Sequence, residues 1–378
     1  MGLAEETSLE RNFVWQWASG AAVPVVSVIL AVLVGAVVVL AVGENPLNAY
    51  WQLLQGSFGS WYYLTETVIA AIPLMLAGFA VAFAFRGGLF NIGAEGQLLA
   101  GAVASAYVGY KLHLPGIVLV PIAVLAGCLA GALWAGIGGV LKAWRGAHEV
   151  ITTMMLNYTA ILVTSYLVEP GPTGHPGPME QTIQIGNPET PPMNATLPII
   201  VPNSIVQNNR VHAGLLIALG AGVLVWFLLW RTTLGYKVRA VGLNPRAAAY
   251  AGINVKWTVA VTLFISGAFA GLAGMVNLYG LAPYQLTDSF SSGYGFNAIA
   301  VALLGRNSVV GVIAAAILFG SLQQGGTIMQ ANAGTSLHLV EVVQGLIIFF
   351  VGADAVVRYL AARGMVKLPG PQRQKAAA

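Results

Sequence analysis

The sequence predicts an all-α polytopic membrane protein, and three observations lead to this fold class. Of the 378 residues, 57% are apolar and only 8% are charged. A soluble domain carries roughly a quarter charged residues, so this chain lacks the polar surface to cover a globule in water. Apolar runs of about 20 residues, enough to cross a bilayer as a helix, recur along the chain. The alternating pattern of a membrane barrel is absent, so we expect helices.

Nine apolar segments are predicted to build a transmembrane domain over residues 21–360. They are Ala21–Val42, Tyr62–Phe85, Leu89–Tyr110, Gly116–Leu141, Val150–Val168, Ala213–Trp230, Trp257–Leu281, Phe296–Leu322 and His338–Leu360. Two long polar connections interrupt them, an external loop at 169–211 and a cytoplasmic loop at 231–256. Residues 1–20 and 361–378 are predicted to be a cytoplasmic N-terminal segment and a cytoplasmic tail.

The lysines and arginines indicate which loops face the cytoplasm. With a cytoplasmic N-terminus, 14 of the 17 bases fall on the cytoplasmic side, as the positive-inside rule requires. Lys111 and Arg210 fall outside, and Arg306 is undecided. Nine simple crossings, however, would leave the basic C-terminal tail outside.

The segment Phe296–Leu322 offers one way to return the C-terminal tail to the cytoplasmic side. It is interrupted by Gly305-Arg306-Asn307-Ser308, a polar break that membrane depth tolerates only where it packs in protein or lines a cavity. We therefore predict a broken helix pair, two short helices at Asn297–Leu304 and Val309–Leu322, that enters and returns. A miscounted span elsewhere is the alternative.

The external loop at 169–211 carries nine of the 18 prolines. Proline lacks a backbone donor and breaks helices, so this loop is predicted to be extended and irregular. The single cysteine, Cys128, excludes an intrachain disulfide and a cysteine-paired zinc site.

Small residues recur at four-residue spacing in two of the apolar segments. They are Gly127, Gly131, Ala135 and Gly139 in one, and Gly267 and Gly271 in another. Such series allow two helix backbones to approach closely, so they predict helix packing rather than an activity.

The run from Arg86 to Gln97 joins two spans and brings polar groups to membrane depth. A tight turn with satisfied side chains is one interpretation, and a discontinuous helix that borders a translocation pathway is the other. Single polar residues in other spans are either helix-to-helix hydrogen bonds or solute contacts. The candidates for the pathway are Asn91, Glu95, Gln97, Asn157 and Asn297. Glu66 and Glu341, near span ends, are interpreted as solvated or paired.

The cytoplasmic loop contains one very short predicted helix. Asn244 supplies its N-cap, Pro245 its first residue and Gly252 its stop. The small residues on its surface would be Ala247, Ala248 and Ala251, and the projecting side chains would be Arg246 and Tyr250. Because so short a helix is unstable alone in water, we expect it to lie in a groove of a partner protein. A connector that rests on lipid headgroups is the alternative.

Motifs for catalysis are missing from the sequence. No Gly-Lys pair occurs, so there is no Walker-type phosphate loop. His148-Glu149 is followed by Thr152 where a zinc protease needs histidine, and no Gly-x-Ser-x-Gly elbow occurs. We therefore expect no catalytic residues, no metal and no cofactor.

Four motifs, in order along the chain, resemble one family. They are Gly88–Gln97, Glu149–Tyr158, Gly235–Gly252 and Ala302–Ser308. Together they resemble the inner-membrane permeases of ATP-binding cassette (ABC) importers of the ribose, branched-chain amino acid and nucleoside type. The second motif is similar to the nucleoside branch, which is linked to basic membrane lipoproteins.

This resemblance implies a type II-like permease bundle of about eight to ten helices that imports nucleosides or a related ribose-bearing solute. The implied partners are an ABC ATPase that binds the ATP, a second permease that is often a non-identical paralogue, and an external binding lipoprotein. The implied location is the bacterial inner membrane, with both termini cytoplasmic. The family's coupling role would fall on Gly235, Arg239, Gly242, Asn244, Pro245, Ala248 and Gly252.

An ion-coupled secondary transporter is the alternative function. Such a carrier predicts ionisable residues in mid-span and inverted repeats. Only Glu95 is a candidate for such a residue, which disfavours this alternative.

Overall fold

The computed structural model describes residues 27–168, 179, 182–184, 187–190, 192–202, 204, 206–287, 290–291, 293–334 and 336–362. The helices are α1 (Ser27–Ala41), α2 (Pro46–Phe58), α3 (Trp61–Arg86), α4 (Ala94–Lys111), α5 (Gly116–Arg145), α6 (Glu149–Val168), α7 (Gly214–Arg231), α8 (Thr233–Leu243), α9 (Pro245–Tyr250), α10 (Val255–Gly280), α11 (Tyr294–Leu304), α12 (Val309–Ala333) and α13 (His338–Ala362). The predicted N-terminal segment 1–20 and the tail, apart from residues 361–362, lie outside the described residues.

The predicted all-helical membrane fold is confirmed. Six of the described helices are long and apolar enough to cross a membrane: α3, α5, α6, α7, α10 and α12. In the loop predicted to be external, an antiparallel pair of short strands, β1 (Thr182–Gln184) and β2 (Asn187–Glu189), accompanies irregular backbone. The described part of this loop is therefore non-helical, as its prolines predict.

The chain divides into two units, one with α1 and α13 and one comprising Leu47–Leu337. The core of the second unit is built on α3 and α10, whose most apolar stretches are 83% and 78% buried. In α5, α6 and α7, only 28%, 22% and 33% of the most apolar stretch is buried, so most of their apolar surface is exposed. This exposed apolar surface is what a bilayer or a second membrane subunit covers.

The predicted packing of small residues is confirmed. A Cβ atom added to Gly131 would lie 2.3 Å from the Gly267 carbonyl oxygen, and one added to Gly271 would lie 2.1 Å from that of Gly127. Because these distances are shorter than any van der Waals contact, α5 and α10 meet backbone to backbone at these glycines.

The prediction for Phe296–Leu322 is wrong in its second half. The first helix is short, as α11, but the second, α12, has 25 residues and is long enough to cross alone. The break lies at a tight turn in which Arg306 and Asn307 have positive φ and Ser308 caps α12. The Gln323-Gln324 pair does not end the helix, because its polar groups face a cavity described below.

Three other elements differ from the prediction. The span expected at Leu89–Tyr110 begins as helix only at Ala94. The sequence analysis assigned no helix to α2, which packs against α12 through Gly56 and Ile328. It also missed α8, which precedes the predicted short helix.

The second unit has two ends of different charge. Every lysine and arginine of residues 47–337 lies at one end, which we call the basic end, except Lys111 and Arg210 at the opposite end. The turn with Arg306 lies at the basic end, because the Arg86 Nε donates to the Asn307 carbonyl at 3.0 Å. The undecided Arg306 thus lies with the other bases.

Candidate functional site

Two helices of the second unit, α4 and α11, start beside each other inside the bundle. The Gly96 N–H donates to Asn157 Oδ1 at 2.8 Å, and Asn157 lies about 12 Å along α6 from its first residue at 1.5 Å per residue. A Cβ atom on Gly295, near the start of α11, would lie 2.2 Å from the Glu95 nitrogen. Both helices thus start within the bundle, which fits the discontinuous-helix interpretation of residues 86–97, whereas the pathway in that interpretation stays a prediction.

The Glu95 carboxylate links these two helix starts. Its Oε2 accepts from the Gly295 N–H at 2.6 Å, and its Oε1 accepts from the Ser291 hydroxyl. Glu95 is 3% exposed. A carboxylate at the positive end of a helix is favourable, so the chain itself supplies the anion that the start of α11 attracts.

Polar side chains around this junction hold the non-helical segment before α4. Asn91 Nδ2 donates to Gln97 Oε1 at 2.9 Å and to Ser266 Oγ at 2.8 Å. Asn157 Nδ2 donates to the Ile92 carbonyl at 2.8 Å. All of these side chains are buried, so their hydrogen bonds offset the cost of placing them in the bundle.

The structure therefore brings together four of the five predicted pathway residues: Asn91, Glu95, Gln97 and Asn157. The fifth, Asn297, lies on the first turn of α11, partly exposed and outside this network. A role of these residues in contacting solute stays a prediction.

A polar cavity of about 230 Å³, here called the opposite-end cavity, lies at the end of the bundle that has few bases. Its polar lining residues are Glu66, Arg210, Tyr294, Gln323, Gln324 and Thr327. The Arg210 guanidinium donates two hydrogen bonds to the Glu66 carboxylate, and this pairing raises the pKa of Arg210 above its ordinary value. Tyr294 is hydrogen-bonded to Gln323.

The sequence analysis missed this cavity. It interpreted Glu66 as solvated or paired, which the ion pair with Arg210 confirms, but it ended the predicted helix at Leu322, just before Gln323 and Gln324. Two adjacent amides within an otherwise apolar run were the one signal that could have indicated a polar surface here, because unpaired amides are costly in lipid.

The predicted short helix is confirmed as α9, a six-residue helix at the basic end. Asn244 Oδ1 accepts from the N–H groups of Arg246 and Ala247 at 3.0 and 3.1 Å, and Pro245 is the first residue. Gly252 has a φ of +80°, which favours glycine.

The two sides of α9 have different roles. Ala248 is buried among Ala84, Val241 and Leu263 of its own chain, so this residue fixes the helix rather than presenting a partner surface. On the other side Ala247, Ala251 and Arg246 are exposed and Tyr250 is 94% exposed, as predicted, and Leu243, the last residue of α8, is 88% exposed beside them in the sequence.

The preceding helix α8 is anchored through close contacts. A Cβ atom on Gly242 would lie 2.2 Å from the Arg86 carbonyl oxygen, and one on Gly235 would lie 2.0 Å from that of Leu228. The Arg239 guanidinium lies 4.2 Å from the centre of the Trp230 ring, which Arg86 also approaches at 5.8 Å. These contacts connect α8 to α3, and Arg86 connects α3 to the turn between α11 and α12.

Helices that start inside an apolar bundle, together with a polar cavity towards one end, are typical of one class of protein. This class is the membrane transport proteins, which move a solute through a helical bundle. Comparison with known proteins specifies the family. The model of the branched-chain amino acid transport system / permease component family matches residues 63–352. The chain belongs to this family, as the four motifs predict.

Three relatives align over most of the chain. The guanosine ABC transporter permease protein NupP of Bacillus subtilis is 40% identical over 89% of this chain and 94% of its own. The glucose ABC transporter permease protein TsgB13 of Haloferax volcanii is 39% identical over 86% of each chain. The nucleoside ABC transporter permease protein NupB of Lactococcus lactis is 35% identical over 89% of this chain and 92% of its own.

Permeases of this family also occur as pairs within one organism. Bacillus subtilis has a second guanosine ABC transporter permease protein, NupQ, which is 29% identical over 68% of this chain and 79% of its own. The chain is thus a multi-pass membrane permease of an ABC system that includes an ATPase and a second permease. ATP hydrolysis belongs to the ATPase.

Proposed function

We propose that this permease imports nucleosides, or a related sugar-bearing solute, into the cell. The relatives NupP and NupB are named for guanosine and nucleosides, whereas TsgB13 is named for glucose. The occupied start of α11 supports an uncharged cargo, because the Glu95 carboxylate already fills the position that would attract an anion.

The basic end is proposed to face the cytoplasm of a bacterial inner membrane, with both termini on that side. The ABC ATPase, which holds the ATP, would dock on α8 and α9, and this chain would need no cofactor of its own. An external binding lipoprotein would deliver the solute at the opposite end. The second permease would be a non-identical paralogue of this chain.

Coupling would use the contacts that join the basic end to the bundle. A movement of α8 acts on α3 through Gly242 and Arg86, whose backbones are in direct contact. Arg86 bonds the turn at Asn307, and α11 runs from that turn to the junction at Glu95. ATP binding could thereby shift α11 and reopen the bundle on the other side.

The observation that carries this proposal is the exposed pair of Leu243, the last residue of α8, and Tyr250, on the capped helix α9, two helices that their own chain holds in place. We expect the variant Leu243→Ser/Tyr250→Ala to insert into the membrane but to lose copurifying ATPase, with ATP-driven guanosine uptake reduced at least about 10-fold. The control is Tyr166→Ala, which alters a tyrosine that is 71% exposed near the far end of α6. In this control, ATPase copurification and guanosine uptake should be unchanged.

Other outcomes would reject the proposal. Unchanged uptake and retained ATPase in the double variant would exclude docking at α9. Uptake that persists in vesicles without any ATPase would instead favour the ion-coupled carrier. If the complete assembly takes up neither guanosine nor glucose, the proposed cargo is rejected.

A further inference from the structure

We infer that the opposite-end cavity is a subsite for the sugar ring of the transported solute, and this inference rests on the proposed function. The cavity lies at the end from which solute would arrive, between α3, α12 and the start of α11. Tyr294, the first residue of α11, lines it, and the next residue, Gly295, bonds Glu95. A solute in the cavity would therefore touch the discontinuous helix proposed to move.

The charges of the cavity favour an uncharged, hydroxyl-rich ligand. Its charged pair, Glu66 and Arg210, is mutually neutralised. The remaining polar groups, the amides of Gln323 and Gln324 and the hydroxyls of Tyr294 and Thr327, carry no charge. The amides both donate and accept hydrogen bonds, and the Thr327 hydroxyl, which donates to the Gln323 carbonyl, can accept one. A polyol offers donors and acceptors in the same mixture.

Glu66 is the group best placed to select vicinal hydroxyls. Its carboxylate has about four acceptor positions, and the two hydrogen bonds from Arg210 leave positions for two further donors. Glu66 is 6% exposed, so water competes little for these positions and hydrogen bonds made there are strong.

The volume of the cavity fits one ring rather than a whole nucleoside. Its volume, about 230 Å³, lies below the range of about 300–1,000 Å³ for pockets of larger ligands. A subsite for the sugar alone also fits relatives named for guanosine, glucose and D-allose, because a ring with adjacent hydroxyls is common to these solutes.

The test uses vesicles that contain the complete transporter, with this chain altered and the same binding protein throughout. The probes are guanosine, 2′,3′-dideoxyguanosine, which lacks both ring hydroxyls, and glucose. Glu66→Gln removes the charge at equal size. Thr327→Val removes one hydroxyl, and Thr159→Val is its matched control, since Thr159 is likewise exposed and makes the same bond to its own helix but lies on α6, outside the cavity lining.

We expect Thr327→Val to raise the half-saturating guanosine concentration about 5-fold and Glu66→Gln to raise it at least about 10-fold. Glu66→Gln should also reduce the preference for guanosine over the dideoxy analogue, since it weakens the bonds that the analogue cannot make. Thr159→Val should have the same half-saturating guanosine concentration as the unaltered protein. If the cargo is a free sugar, the same losses should appear with glucose.

Two results would overturn the inference, and they are distinguishable. Uptake with unaltered half-saturation and unaltered preference in both cavity variants would exclude the subsite while leaving the proposed function intact. Uptake of neither guanosine nor glucose by the unaltered assembly would reject the proposed function, and the inference with it. If Glu66→Gln fails to fold, Thr327→Val against Thr159→Val decides alone.

Discussion

His212 illustrates how a single side chain in this protein depends on its two neighbours. The imidazole is 2% exposed and lies against Gly214 at the start of α7 and Gly280 at the end of α10, where added Cβ atoms would lie 2.5 and 2.2 Å from the ring. Its Nδ1 accepts from the Gly214 N–H at 3.1 Å, a bond that requires this nitrogen to be unprotonated. Burial lowers the pKa of His212 to about 4.

This pKa predicts a loss of stability in mild acid. The unfolded chain binds a proton at His212 below about pH 6.5, whereas the folded chain does so only near pH 4. Stability from this residue is therefore present above pH 6.5 and is lost as the pH falls towards 4, by up to roughly 3 kcal/mol. Thermal unfolding of the detergent-solubilised protein across this range measures the loss.

His212→Asn keeps an acceptor for the Gly214 N–H but cannot titrate. Its unfolding temperature should depend less on pH between 6.5 and 4 than that of the unaltered protein. His113→Gln, at an exposed histidine near the same end, is the control and should keep the full dependence. Equal pH dependence in His212→Asn and the unaltered protein would contradict the prediction.

At the scale of elements, the contact between α5 and α10 shows what holds helices together in this bundle. Water cannot drive apolar helices together within a membrane, so close packing must do so. Gly131 on α5 meets the Gly267 carbonyl and the Gly271 Cα of α10, whereas Gly136 on the same helix has only an ordinary contact, 3.5 Å from Phe264.

The two glycines therefore predict opposite effects of the same substitution. Gly131→Ala should separate the helices and destabilise the protein by about 1–3 kcal/mol, because the added methyl overlaps backbone atoms. Gly136→Ala should be neutral or stabilising by up to about 1 kcal/mol, because alanine favours helix over glycine. Unfolding temperatures of the two variants compare them directly, and equal shifts would exclude backbone-to-backbone packing at Gly131.

The second unit as a whole is polarised by charge. Its lysines and arginines concentrate at the basic end, and only Lys111 and Arg210 lie at the opposite end. Arg210 is paired with Glu66 there. The positive-inside rule then predicts that the basic end, with α8 and α9, faces the cytoplasm.

This orientation predicts the accessibility of introduced cysteines in a Cys128→Ser background. Tyr250→Cys on α9 and Gln207→Cys in the external loop are both at exposed positions. A membrane-impermeant maleimide should label Gln207→Cys in intact cells and Tyr250→Cys only after permeabilisation. Labelling of Tyr250→Cys in intact cells would reverse the orientation and exclude an intracellular ATPase on α9.

Local sequence signals predicted the elements that depend on local chemistry. Asn244, Pro245 and Gly252 specified the cap, first residue and stop of α9, because each acts within a few residues of itself. The spans followed from apolar length alone. The end of α12 was missed, because Gln323 and Gln324 are polar but face a cavity rather than lipid.

The sequence by itself determined that this is a helical membrane protein of the ABC importer permease family and that it carries a short capped helix at Pro245–Tyr250. Only the tertiary structure decided which polar groups meet. Glu95 bonds Gly295 across 200 residues and Glu66 bonds Arg210 across 144. Because α3 is apolar on nearly all sides, its hydropathy does not specify which helix packs on which of its faces. Those contacts are specified by long-range pairing within the folded bundle.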